Sequence, residues 1–328
     1  MTTIHEAITN YLDTIKLARS PHTARAYSNA LNVFQSVLKK HKINAETSPI
    51  ELLSEDAFAW LLVALKDYSP ATERIYLQAA KGLFNFLVAE KLADINLPRL
   101  ELIIKQRARR PGIRLPQFPA DDIERVLKYI SDSPAAIRND GTEYLRALRD
   151  RAFILTLADT GLRVHEACRL RRGDIDWNEG QAVIIGKGNK EAVVRFTLRS
   201  MNALKEYLTQ RAAMDGSSGK PLASLPLFAR HDKGAGEKVK PITTATGRNI
   251  VKERINLALG EDAHGRITPH SFRHYFVTAI LRGTGNLRYA QELARHQNIQ
   301  VTQRYTHLSN EELDKAYHDV FEKKKSGD

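Results

Sequence analysis

Cysteine is almost absent from this chain. Its 328 residues contain one, Cys168. A single thiol cannot build a disulfide framework or a cysteine-rich zinc cluster, and such usage suits a reducing cytoplasm. Cys168 sits in the apolar stretch 166–170 and reads as a small core residue. No apolar run approaches the ~20 residues needed to cross a bilayer. The opening Met1-Thr2-Thr3-Ile4-His5-Glu6 lacks the basic and apolar regions of a secretory signal. A cytoplasmic protein without membrane association is expected. No GxxxxGKS/T loop and no convincing metal-ligand cluster is present, so neither a cofactor nor a metal is expected. Internal repeats are absent too.

What is present is positive charge. The formal net charge is +12, which points to a polyanionic partner such as nucleic acid. The 42% hydrophobic content is enough for ordinary cores, and the length predicts two domains.

Residues 1–97 read as an all-helical bundle. Thr3 and Glu6 have capping-box spacing, and Ile4, Ile8, Tyr11, Leu12 and Ile15 follow at helical intervals. Ser20-Pro21 and Ser69-Pro70 each place a capping serine before a first-turn proline. Ser54 opens a further helix carrying Phe58, Trp60, Leu61 and Leu65, and the helix after Ser69 carries Ile75, Leu83, Phe86 and Leu87. Residues 98–119 contain Pro98, Pro111, Pro116 and Pro119 among Lys105, Arg107, Arg109, Arg110 and Arg114. Proline predicts an extended linker here, and its basic residues suit a phosphate backbone; Arg107, Arg109 and Arg110 are the candidate DNA contacts.

Residues 120–328 are mixed but mostly helical. Helices are expected at 121–130, 144–159, from Arg163, and at 200–214, 244–259, 269–282, 286–295, 299–305 and 310–323. Short strands are expected at 175–177, 182–185 and 192–197, with Gly186-Lys187-Gly188-Asn189 as the turn between the last two. Residues 215–241 are rich in Gly, Ser, Lys and Pro and read as a long loop with room for a hairpin.

Four segments of this second half offer cations or donors. Arg163 begins a helix, whose free N–H groups also attract phosphate, and Glu166 three residues on can orient its guanidinium. Lys187 occupies a hairpin tip. His270 and Arg273 share a helix face. His296 precedes Tyr305 by nine residues. A phenol has a pKa of about 10 and is a poor nucleophile unless its surroundings help it. Each feature alone has a plain structural reading: a surface ion pair, a solvated turn, a partly buried tyrosine. Their conjunction, in this order, does not.

The segments Thr160-Gly161-Leu162-Arg163-Val164-His165-Glu166, Ile184 through Glu191, Thr268-Pro269-His270-Ser271-Phe272-Arg273-His274, and Leu293 through His307 resemble the tyrosine recombinase (phage integrase) family. The resemblance covers the second half, and the helical first half fits less specifically. It implies a mainly α fold: a SAM-like core-binding bundle at 1–97, a basic linker at 98–119, and a catalytic domain at 120–328 with a small antiparallel sheet. It implies that Tyr305 is the nucleophile and that Arg163 and Arg273 clamp the scissile phosphate. Lys187 would protonate the leaving 5′ oxygen, His270 and His296 would fill the remaining catalytic positions, and Glu166 would support Arg163.

The implied activity is site-specific recombination of double-stranded DNA through a 3′-phosphotyrosine intermediate, by a homotetramer on two DNA sites. A type IB topoisomerase or a non-catalytic DNA-binding protein of the same fold are the alternatives. The C-terminal segment, with Leu313, Ala316, Tyr317, Val320 and Phe321 on one stripe, would dock on its own domain or on a neighbouring protomer. One departure stands out: the family often has Leu-Gly-His before the tyrosine, and this chain has Ala294-Arg295-His296. The chain begins in the bundle, so simple recombination sites are expected.

Overall fold

The caps read from the sequence start the first helices. In the computed structural model, which describes residues 2–109, 119–136, 141–186, 191–232, 234, 238–263 and 265–295, Thr3 and Glu6 form the capping box of α1 (Ile4–Ala18). Ser20 and Ser69 accept from the backbone N–H of Thr23 and Thr72, opening α2 (Pro21–Lys40) and α4 (Pro70–Ala89). Each satisfies a donor that a helix start otherwise leaves unpaired. Ser54 precedes α3 (Glu55–Ala64) without a side-chain cap bond. The chain folds into two compact units, Met1–Arg114 and Leu115–Asp328.

The core of the first unit gathers Ile4, Leu31, Phe34, Leu38, Phe58, Leu61, Leu83, Phe84 and Leu87. Phe34 and Phe58 each meet Phe84 edge-on, with ring centroids 5.9 and 5.4 Å apart. Burying one such side chain stabilises by about 1.5–3 kcal/mol. Ile75, expected on the inner face of α4, is 43% exposed instead. Trp60 is half-buried at the edge of the bundle, stacked on His41 at 3.9 Å.

The basic stretch after residue 97 is not extended throughout. Leu97–Arg107 forms α5, capped by Asn96, whose side chain accepts from the Arg99 N–H at 2.9 Å. Pro98 falls in the first turn, where its missing N–H and fixed φ suit a helix. Leu100 and Ile103 are buried, and Arg99 pairs with Glu55 at 3.2 Å and Asp56 at 3.1 Å on α3.

In the second unit α7 (Gly141–Thr160) runs through the core; every residue from Ala147 to Thr160 except Arg151 is buried. Against it pack α6 (Ala120–Ala136), α8 (Val164–Arg169), α9 (Leu198–Gln210), α11 (Thr244–Leu259) and α12 (Pro269–Thr284), while α10 (Ala212–Gly216) packs on α9 and α13 (Leu287–Ala294) on α12. The sheet is antiparallel in the order β1 (Ile175–Asp176), β2 (Gln181–Ile185), β3 (Glu191–Arg195), with Ala182 opposite Val194. Ala182, Ile184 and Val194 face the core, while Val183, Ile185 and Val193 are exposed. Cys168 is buried, as expected of a core residue, and burial pushes its thiol up to about 12.

The stretch from 215 to 241 is anchored by charge. Arg211, fully buried just past the end of α9, donates to Asp215 at 2.9 and 3.1 Å and to Tyr207 Oη at 3.0 Å. It also reaches the carbonyls of Pro226 and Leu227 at 2.8 and 3.1 Å. Matching the donors in this way offsets the cost of burying a guanidinium. The hairpin allowed for in this stretch reduces, among the described residues, to single bridges, Arg171 to Pro226 and Ala229 to Pro241.

Candidate active site

Between α7 and α8 the chain turns at Gly161, at φ +61°. A Cβ there would lie 2.4 Å from the Phe276 ring on α12, so glycine is required twice over. The Leu162 N–H is satisfied by Thr160 Oγ1 at 3.2 Å. This turn delivers Arg163 to the start of α8, as the residue just before the helix rather than within its first turn. Glu166 accepts the Arg163 backbone N–H at 2.8 Å and its guanidinium Nη1 at 2.9 Å, the orientation expected of that spacing.

The second motif segment starts α12, where Thr268 and Ser271 cap each other and Pro269 enters the first turn. Phe272 is inward on that helix and fully buried, which fixes its rotation. Arg273 is 2% exposed. Its Nη1 donates to the Gly161 carbonyl at 2.5 Å and its Nη2 to the Ala294 carbonyl at the end of α13.

Arg163, His270 and Arg273 meet around one cavity of about 510 Å³. Burial, then the charges of Arg273 and Arg163, lower the basicity of the His270 imidazole. His274, 4.4 Å from His270 between ring centroids, is pushed down to about 4 by burial, then by His270 and Arg273. The site is thus positive and disfavours protonation of both histidines, as suits an anion and proton transfer.

Several contributors do not stand out in the sequence. Arg248, Asn249 and Lys252 of α11 line the same cavity. Arg248 and Lys252 are four apart and share a helix face, but nothing local ties that face to Arg163. Arg295 also reaches the site: its Nη2 donates to Glu166 Oε2 at 3.1 Å. Burial alone would raise the Glu166 carboxyl, but Arg295 and the two bonds from Arg163 hold it below the usual range.

Lys187, His296, Tyr305 and Arg110, and the helices expected at 299–305 and 310–323, lie outside the described residues. Arg107 lies at the end of α5 and is exposed. Arg109, expected as a DNA contact, is 33% exposed and is tied to the bundle. It binds buried Glu73 through its side chain, and its backbone N–H donates to the same carboxylate at 3.0 Å. It also donates to the Leu65 and Tyr68 carbonyls at 3.1 and 2.5 Å.

Residues 118–312 match the phage integrase family, and residues 8–91 match the phage integrase N-terminal SAM-like domain. A tyrosine recombinase XerC of Thermodesulfovibrio yellowstonii is 31% identical over 97% of this chain and 96% of its own. One of Myxococcus xanthus is 29% identical over 91% of both chains. Among solved structures, the XerH site-specific recombinase on its palindromic difH substrate aligns with TM-score 0.66 and 23% identity over 90% of this chain and 79% of that one. The Tn1549 transposon integrase with transposon right end DNA aligns with TM-score 0.67 and 16% identity over 98% and 99%. The two structures share its fold. The chain belongs to the phage integrase family and is a tyrosine-type site-specific DNA recombinase, an enzyme that breaks DNA strands and rejoins them.

Proposed function

We propose that this recombinase cleaves DNA by attack of Tyr305 on a phosphodiester held by Arg163 and Arg273. The convergence of Arg163, His270 and Arg273 on one positive cavity supports the reading. As phosphorus becomes pentacoordinate its oxygens gain negative charge, and planar guanidinium forks neutralise it without a metal. The phenol oxygen bonds to phosphorus as the bond to the 5′ oxygen breaks. Lys187 gives that oxygen its proton. His270, its basicity lowered by burial and by Arg273 and Arg163, and His296 exchange protons and hydrogen bonds with the phenol and the phosphate. The product is a 3′-phosphotyrosine and a free 5′ hydroxyl. Attack by a 5′ hydroxyl of another strand reverses the step, so rejoining needs no nucleotide cofactor.

In this reading residues 1–97 grip the duplex as a core-binding domain, 98–119 connect, and 120–328 do the chemistry. Arg107 and Arg110 contribute contacts to the DNA backbone. Four protomers act on two DNA sites in the cytoplasm. A nicked duplex that lets the cleaved 5′ fragment diffuse away tests the chemistry: the wild-type chain should accumulate as a protein–DNA adduct on the 3′ side of the break. Cleavage without a covalent adduct contradicts it.

A further inference from the structure

Arg295 adopts the left-handed conformation, φ 57° and ψ 45°, at the C-terminal end of α13. That backbone state favours glycine, because a Cβ is crowded there. An arginine kept in such a place points to a use for its side chain. The side chain folds back across 129 residues of sequence to Glu166, the carboxylate that binds the Arg163 backbone and guanidinium. It is largely buried, 13% exposed. Among the described residues its Nε and Nη1 are buried without a hydrogen-bond partner. Leaving such donors unmatched is unfavourable, so packing alone does not account for an arginine here.

We propose that Arg295 is a positioning residue: by sharing the charge of Glu166 it holds the carboxylate in register and leaves Arg163 electropositive toward the phosphate cavity. This rests on the phosphate-binding role given above to Arg163. With Arg163 as its sole partner, Glu166 would cancel most of that guanidinium's charge. A second guanidinium on the same carboxylate leaves the trio with a net positive charge. The geometry adds a link along the chain. Ala294 accepts from Arg273 and the next residue binds Glu166, so both ends of the guanidinium pair are tied to the last turn of α13. Lowered basicity of Arg295, from burial first and with Glu166 opposing it, agrees with a guanidinium held out of water.

The test uses a nicked duplex selected from a random library by covalent capture on the wild-type chain. Single-turnover cleavage and DNA affinity are measured for Arg295→Gly, Arg295→Lys and Arg163→Ala, with thermal unfolding of each. Arg295→Gly relieves the backbone and should unfold no earlier than wild type. It should bind DNA unchanged yet cleave about 10- to 100-fold more slowly, the penalty of a misplaced catalytic group. Arg295→Lys, which keeps the charge but not the fork, should recover part of the rate. Wild-type cleavage by Arg295→Gly overturns the proposal, as does an Arg295→Lys as slow as Arg295→Gly. Wild-type cleavage by Arg163→Ala would instead overturn the role of Arg163 itself.

Discussion

The guanidinium of Arg273 donates to the backbone carbonyl of Gly161, 112 residues earlier in the chain, at 2.5 Å. Gly161 begins the turn that presents Arg163, so one proposed phosphate ligand is braced against the backbone that delivers the other. Their substitutions should therefore differ in kind. Arg273→Ala removes donors from two carbonyls in the interior and should lower folding stability by about 2–3 kcal/mol as well as activity. Arg163→Ala, whose side chain is 38% exposed, should leave stability nearly unchanged. Both should slow single-turnover cleavage on the order of 10²- to 10³-fold. Urea unfolding beside cleavage rates separates the two; equal stability losses contradict the bracing role.

Arg109 should prove a fold residue. Glu73 is 2% exposed and receives Arg109 together with Lys66 at 3.1 Å. Glu73→Ala should lower the stability of the chain by about 2 kcal/mol, since it strands a partly buried guanidinium. Burial raises the Glu73 carboxyl, but the bonds from Arg109 and Lys66 outweigh it and leave it below 4.5. Its contribution is present above the unfolded value and lost as pH falls through the lower folded one. Arg107→Ala should instead flatten the salt dependence of DNA binding while stability holds. An unchanged slope of log K against log salt makes Arg107 a bystander.

What the sequence makes legible is what neighbours along the chain decide. The caps at Thr3, Ser20 and Ser69 and the Arg163–Glu166 pair involve residues three apart, and all are present. Pro98 is ambiguous in sequence, because a proline breaks a helix interior yet suits a first turn. The choice depends on Leu100 and Ile103 finding a core. The Arg109–Glu73 and Arg295–Glu166 pairs join residues 36 and 129 positions apart. No local pattern carries such pairs. Arg295 is legible only as an arginine in place of a family glycine.

Acid should destabilise the second unit through a buried histidine. His231 is 8% exposed, meets Tyr207 Oη at 2.8 Å, and is pushed down to about 3 by burial and by Arg149, Arg211 and Arg146. Its folded value lies below the unfolded 6.5, so the unfolded chain binds the proton more readily between them. The contribution of neutral His231 to stability should be complete above pH 6.5 and be lost as pH falls toward 3. His231→Gln should flatten that part of the stability–pH curve. A variant curve parallel to wild type removes His231 as the cause.

Lys187→Ala should slow cleavage because the leaving 5′ oxygen loses its proton donor. A substrate with sulfur at the bridging 5′ position has a better leaving group and should restore most of the rate. Equal defects on the oxygen and sulfur substrates exclude Lys187 as the acid.

Covalent capture by Tyr305→Phe is the most direct measurement. The substitution removes one oxygen and keeps the ring. On the nicked duplex captured by the wild-type chain, the Phe variant should bind with nearly wild-type affinity and form no 3′-linked protein–DNA adduct. A 3′-linked adduct formed by the Phe variant would show that another residue is the nucleophile.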